Sequence, residues 1–403
     1  MEKNVKIIYP SYLDKFQCIG GKCEDTCCMG WDIDVDKETF KKYHKVTDET
    51  MKKIIRKSIH INEYCTNKDL DYGRIKLNKE KKCPLLDDQN FCSIQGRFGE
   101  DYLSSVCGQF PRVLNKVDDH YEMCLDASCI EAARIIFGSK EKIEFKQSEK
   151  SLGKYTMSGV LDTRSSEFKN TPIKYFKEIR DFSIKIMQNR NLNFSSRLYV
   201  LGDFLNKLED IESNKIKEFI SKYDIETKSK SYKRDPMNYA LQVSFLKNIV
   251  DSLDIVNEMD SDKLRKYTKE VLQGYNIKDN DDVIENKKEY INAFEKYTDE
   301  YIESNSHIFE NYMVNFIYNN LFPFSESDFM FDGYILLLFR YSLIRFYLVG
   351  KYIYNGKDSV EDIIEFVKVF VKAVEHDRNY RSKILEYIKE NSFDNMEFAK
   401  MLL

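Results

Sequence analysis

Cys18-Ile19-Gly20-Gly21-Lys22-Cys23-Glu24-Asp25-Thr26-Cys27-Cys28 places four thiols within eleven residues. Six more cysteines follow, at Cys65, Cys83, Cys92, Cys107, Cys124 and Cys129, and residues 130–403 contain none. So dense a run at one end of a chain is chemistry, or a small domain stapled together. Residues 1–11 lack the apolar core of a secretory signal, so the expected compartment is the cytoplasm, where disulfides are rare. The thiols then point to metal, because thiolates are soft ligands that select zinc, copper(I) and Fe–S clusters. Gly20 and Gly21 inside the run, and Gly30 after it, let the backbone fold tightly around an ion or cluster. Paired CxxC knuckles, the usual zinc pattern, are missing. Only His44, His60 and His120 accompany the thiols. A His-rich catalytic zinc site is therefore disfavoured, and a thiolate-held Fe–S cluster moves ahead. Cys27 and Cys28 need not point the same way: one can ligate while the other packs, or each can serve a different centre.

Outward from this run the elements are short. Trp31, Ile33 and Val35 alternate with Asp32, Asp34 and Asp36, which predicts a half-buried strand, and Asp36 reads as the N-cap of a helix through Tyr43. Cys83-Pro84-Leu85-Leu86 and Phe91-Cys92-Ser93-Ile94 flank turn residues as a hairpin with one cysteine on each arm. Residues 112–117 and 121–125 flank Asp118 and Asp119 as a second hairpin, and 99–107 and 127–137 suit helices. Residues 138–154 are charged and read as a linker. Beyond them the texture changes. Thr171-Pro172 and Asp235-Pro236 are helix-start devices. Leu241, Phe245, Ile249 and Leu253 share one helical face, as do Ile363, Val367, Phe370 and Val374 behind Asp358-Ser359. Residues 228–234 and 279–282 read as loops. The most apolar stretch, 334–354, contains Arg340, Arg345 and Lys351, which suits a buried core helix rather than a membrane span. The expected fold is mainly α: a small cysteine-rich α+β N-terminal metal or Fe–S domain over 1–140, then an α-helical domain over 155–403.

Composition narrows the function. The 403 residues carry a net charge of -4, which argues against non-specific nucleic-acid binding as the main task. Six Pro and 15 Gly are few, favouring helix. No G-x-G occurs, so the Rossmann fingerprint is excluded, and Walker A, H-E-x-x-H and G-x-S-x-G are missing too.

The ordered series Tyr9-Pro10-x-Tyr12, Phe16-x-Cys18-x4-Cys23-x3-Cys27-Cys28-x2-Trp31, Cys83-Pro84-Leu85-Leu86, Cys92, Leu103-Ser104-x2-Cys107-x2-Phe110-Pro111-Arg112 and Ser128-Cys129-x-Glu131-Ala132 resembles the flagellin lysine N-methylases, within a wider group of zinc- or iron-chelating cysteine-cluster proteins. The helical half looks similar at Glu310-Asn311-Tyr312 through Pro323 and around Glu375-His376. Ile130 departs from the family's usual Pro. The resemblance implies Cys18, Cys23, Cys27, Cys28, Cys83, Cys92, Cys107 and Cys129 as metal ligands. Cys65 and Cys124 fall outside the series and read as non-ligands. It also implies a [4Fe–4S] cluster, with zinc as the alternative, S-adenosylmethionine as methyl donor and surface lysines of flagellin as substrate. Eight thiols exceed the four that one cluster needs, so either some are structural or a second metal is present.

Methyl transfer from a sulfonium to lysine needs a neutral amine, whose reference pKa is about 10.4, and a sulfonium favours aromatic faces and carboxylates. Trp31 and Tyr12 are the cofactor-wall candidates, with Tyr9 beside them. Each has a plain core reading, which for Trp31 is the stronger one. Asp32, Arg112 and Glu131 are the catalytic candidates. Asp32 also reads as a strand-face or capping carboxylate, Arg112 as a local pair, and Glu131 as a first-turn carboxylate favoured by the helix dipole. The helical half would recognise the protein substrate. The competing reading is a zinc- or Fe–S-binding module, for electron transfer or as an adaptor, without transferase activity.

Overall fold

Ile33 and Val35 turn into a core while Asp34 points outward, so the alternation at 33–35 produces the expected strand. The computed structural model describes residues 4–31, 33–153, 155–252, 255, 261–276, 287–375 and 378–403. Asp32, Leu253, His376 and residues 279–282 lie outside them. The chain forms two units, Met1–Ala132 with Glu144–Val160, and Ala133–Ile143 with Leu161–Leu403.

The first unit is built from β1 (Val5–Pro10), β2 (Ile33–Val35), α1 (Lys37–His44), α2 (Glu49–Ser58), β3 (Ile59–Ile61), β4 (Gly73–Ile75), α3 (Ser93–Phe98), α4 (Ser105–Gln109), β5 (Arg112–Val117) and β6 (His120–Leu125), then the first residues of α5 (Ile130–Phe137), which from Ala133 on belongs to the second unit, β7 (Phe145–Lys150) and β8 (Gly159–Leu161). The strands form a five-stranded sheet, β7-β1-β6-β5-β8, and a three-stranded sheet, β2-β4-β3. β5 and β6 are the expected second hairpin, in register from Arg112 opposite Leu125 to Val117 opposite His120. Asp36 caps α1, its carboxylate accepting the Thr39 N–H at 2.9 Å, and it also accepts the Ser105 N–H at 3.1 Å.

Three expectations in this unit are corrected. The stretch 138–154 is no simple linker: β7 pairs antiparallel with β1 along all six residues. Its charged side chains are those of an edge strand, which read like a linker. The first hairpin shrinks to a single Leu86–Cys92 bridge, because Cys92 turns the chain into α3. The predicted helix over 99–107 is broken, since Ser104 starts α4 by accepting the Cys107 N–H at 3.3 Å.

The second unit is helical: α6 (Phe176–Met187), α7 (Phe194–Glu209), α8 (Ile216–Lys222), α9 (Ile225–Ser229), α10 (Met237–Ser252), α11 (Asp262–Gly274), α12 (Lys287–Tyr297), α13 (Ser306–Asn319), α14 (Met330–Asn355), α15 (Val360–Phe370), α16 (Arg378–Glu390) and α17 (Met396–Leu402). α14 is long and apolar enough to cross a membrane by composition, yet its apolar window is wholly buried within the unit. Its arginines have partners there, although the Nε of each stays buried without one. Arg340 pairs with Glu326, and Arg345 donates to Gln242 at 2.6 Å and to the Leu403 carbonyl at 2.5 Å. The α15 face holds as read, with Ile363, Val367, Phe370 and Val374 all buried. The α10 face does not: Leu241 is 56% exposed. The buried neighbour is Gln242, which reaches Arg345 and the Met401 carbonyl, so a polar residue faces inward where the pattern expects Leu.

Candidate functional site

Four of the thiols gather on one apolar core. Residues 28–30 run antiparallel to 81–83: Cys83 N–H donates to the Cys28 carbonyl at 2.8 Å, Met29 bridges Lys82, and Gly30 N–H donates to the Lys81 carbonyl at 2.9 Å. This ladder sets Cys28 beside Cys83. Cys83 is buried among Ile33, Val35, Tyr43, Leu85 and Ile94, and Cys28, Cys92 and Cys107 pack against the same cluster. Main-chain N–H groups face the sulfurs, from Leu85 at Cys83 and from Gln95 and Ile94 at Cys92, while the Ser104 hydroxyl serves Cys107. Such donors favour thiolate. Burial nonetheless pushes the thiols of Cys83 and Cys92 up and that of Cys107 to about 12, and the nearby Cys28 charge adds to each rise. Cys28 goes the other way, down to about 7, chiefly because the Cys27 thiol donates to it. That same bond is the largest cause of the rise at Cys27.

A second group lies at the other end of the cysteine run. Cys18 is exposed, and its sulfur accepts the Gly20 N–H at 3.4 Å. Cys23 closes the short turn Gly20–Lys22, its N–H bonded to the Gly20 carbonyl at 3.0 Å and its thiol to the Asp25 carbonyl at 3.3 Å. Cys129 stands immediately before α5, where Ala132 and Glu131 N–H groups face its sulfur. Burial raises the Cys129 thiol to about 11, with Cys23 and Cys18 as the neighbouring charges. Cys28, Cys107 and Cys18 are thiol neighbours of Cys27.

Phe91 fixes the Cys18–Cys23 loop, and nothing in the cysteine spacing announced it. A Cβ on Gly20 would lie 3.0 Å from the Phe91 ring, and one on Gly21 would lie 2.9 Å from the Gln89 carbonyl oxygen. Gly20 also has φ +56, so only glycine suits this approach.

Among the described residues, no three Cys, His, Asp or Glu side chains converge tightly enough to form a ready metal pocket. The donor set does fit a thiolate-held group in type and number: eight soft ligands, gathered by neighbourhood, six of them at least partly shielded from solvent.

The remaining candidates divide. Trp31 Nε1 donates to the Cys27 carbonyl at 2.5 Å, and its ring lies 5.9 Å from Phe110, so it braces the Cys27-Cys28 turn. Tyr12 and Tyr9 are buried. The Arg112 guanidinium lies 5.2 Å from the centre of the Phe16 ring. Glu131 is half-buried in the first turn of α5, two residues after Cys129. Cys124 is buried in β6, and Cys65 donates to the Asp71 carboxylate at 3.3 Å.

In the helical unit, Glu310-Asn311-Tyr312 is a fastening. The Glu310 carboxylate is fully buried and accepts from Arg197 at 2.8 Å and from Arg190 at 2.8 Å. Asn311 donates to the Ile136 and Ser139 carbonyls at 2.8 and 2.7 Å, and the Tyr312 hydroxyl bonds Glu375. A hollow of about 630 Å³ beside Phe329 is lined by Asp332 and Lys389, which pair at 2.7 Å, with Lys389 5.0 Å from the centre of the Phe329 ring.

This helical scaffold is what known proteins share. The FliB lysine N-methylase C-terminal domain matches residues 180–402, from α6 to α17. The chain belongs to the FliB lysine N-methylase family. A lysine-N-methylase of Salmonella typhimurium is 27% identical over 206 residues, which are 50% of this chain and 47% of that protein. The flagellar biosynthetic protein FliU of Salmonella muenchen is 29% identical over 167 residues, 41% of this chain and 96% of that protein. A lysine-N-methylase of Salmonella choleraesuis is 27% identical over 206 residues, 50% of this chain and 47% of that protein. The chain thus spans about half the length of the lysine-N-methylases it matches. No solved structure matches it. The family match falls wholly in the half without cysteines, so the FliB assignment and the thiol groups are separate observations.

Proposed function

We propose that this FliB-family chain is a protein-lysine N-methyltransferase that moves methyl groups from S-adenosylmethionine to surface lysines of flagellin, with a thiolate-held [4Fe–4S] cluster in its N-terminal unit. The observation that carries this reading is the FliB lysine N-methylase match over 180–402. Two relatives bear the name lysine-N-methylase and one a flagellar name, which supports the substrate class.

In the transfer, the lysine nitrogen's lone pair forms the new C–N bond as the methyl–sulfur bond breaks. S-adenosylhomocysteine leaves, and the ammonium proton goes to a base or to water. The cluster, when bound, would supply a Lewis-acidic metal site for the donor. Cys18, Cys23, Cys27, Cys28, Cys83, Cys92, Cys107 and Cys129 are the thiols available to hold metal. Glu131, beside Cys129, is our candidate for the base, and Arg112 for binding the donor's carboxylate. Trp31 acts as a brace of the Cys27 carbonyl. Recognition of the protein substrate falls to the helical unit.

The test is co-expression with flagellin, followed by mass spectrometry of the flagellin lysines. Methylated lysines that vanish on Cys23→Ser are expected. Unmodified flagellin from cells containing the metal-loaded protein would overturn the transferase reading in favour of a metal-binding module.

A further inference from the structure

The eight family cysteines are not one ligand set. We infer that they form two: an inner site of Cys28, Cys83, Cys92 and Cys107 that binds a single zinc ion and is structural, and an outer site of Cys18, Cys23, Cys27 and Cys129 that holds the Fe–S cluster. This rests on the proposed thiolate ligation, but not on methyl transfer.

Neighbourhood draws the line. Every inner thiol belongs to, or packs on, the core of Ile33, Val35, Tyr43, Leu85 and Ile94, and no outer thiol does. The Cys28–Cys83 ladder, the Leu86–Cys92 bridge and the Asp36 carboxylate, which accepts the Ser105 N–H, bring four separate segments to that core. Four thiols from four segments, all on one apolar core, supply the donor number and type of a structural zinc site, and the sulfurs would draw together on the ion. The outer thiols are on balance more open, although Cys23 and Cys129 are shielded about as much as Cys28, Cys92 and Cys107. Cys18 and Cys27 are exposed, and Cys23 and Cys129 are partly so. A cluster that must meet a soluble donor needs such access. Cys23 and Cys18 are thiol neighbours of Cys129. Cys27 adjoins both groups. Its neighbour Cys28 completes the inner four, and its own exposure is that of Cys18, so it completes the outer four.

The inner site also has mechanical work. The three-stranded sheet is made of strands of only three residues, and the segment 28–30 joins 81–83 by one isolated bridge. A metal tying Cys28, Cys83, Cys92 and Cys107 would fasten these pieces, as ligand binding does in small metal domains.

The experiment counts zinc, iron and sulfide in the anaerobically purified full chain and in its variants. The wild type should hold about one zinc together with about four irons and four sulfides. Cys23→Ser and Cys129→Ser should lose iron, sulfide and the broad visible absorbance while keeping zinc. Cys83→Ser and Cys92→Ser should lose zinc and melt at a lower temperature. Should these inner variants be insoluble, oxidation of the wild type decides: ferricyanide should bleach the outer cluster and release iron while zinc stays bound. A wild type without zinc, or inner and outer variants that lose iron in parallel with no zinc change, would overturn the partition.

Discussion

The two units of this chain reach stability by different routes. In the helical unit a single helix, α14, contributes 26 residues, and Met330 to Lys351 are buried without a break. Around it pack rings such as Tyr275 on Phe346 at 4.9 Å and Phe194 on Tyr341 at 5.1 Å. Even its buried charges have partners, as at Glu310 with Arg197. The thiol-bearing unit has no helix longer than the ten residues of α2 among those described, and no strand longer than six. Each sheet has a small apolar cluster of its own. A unit built from such short elements gains most from cross-links, whereas a large helical core stands without them.

That contrast can be broken most directly by removing metal. Stripping bound metal from the purified protein with a chelator and a reductant should unfold the thiol unit, because structural metal binding contributes on the order of 10 kcal/mol to small domains. Amide exchange read by mass spectrometry should rise in β2, β3 and β4 and stay slow in α14. Equal exchange in both would dissolve the contrast. The next largest effect lies on the other side. Glu310→Ala leaves Arg197 buried without its carboxylate and should cost about 3–5 kcal/mol in urea unfolding, with iron content unchanged. A loss of iron there would mean that the two units are not independently held. The smallest effect sharpens the picture of the thiol unit. Asp36→Ala removes the cap of α1 and the acceptor for Ser105 N–H, and should cost about 1–2 kcal/mol by thermal melting, with metal retained.

Much of this was legible in the chain. Asp36, Ser359 and the Asp118-Asp119 turn sit where residue types place them, since caps and tight turns are decided by one side chain and its next few neighbours. The buried character of 334–354 followed from apolar density, with Arg340 and Arg345 arguing against lipid. The cysteine series and the FliB-like motifs gave the family. The failures share a cause. β7 looks like a charged linker because an edge strand is defined by the backbone of its partner, here β1, and not by its own side chains. Leu241 looks like core because periodicity cannot know that Gln242 has Arg345 and a carbonyl to meet inside.

The candidate site divides in the same way. Sequence alone determined which atoms are available: ten thiols before residue 130, none after, few histidines, and glycines where the chain must turn sharply. It could not determine which thiols are neighbours, because Cys28 and Cys83 are separated by more than fifty residues and meet only through the ladder that joins 28–30 to 81–83. Nor could it set Phe91 against Gly20, which holds the Cys18–Cys23 loop. Local side-chain chemistry acts over a few residues and is written in order along the chain. The grouping of the cysteines depends on contacts between distant segments, and those exist only once the core of Ile33, Tyr43, Leu85 and Ile94 has formed.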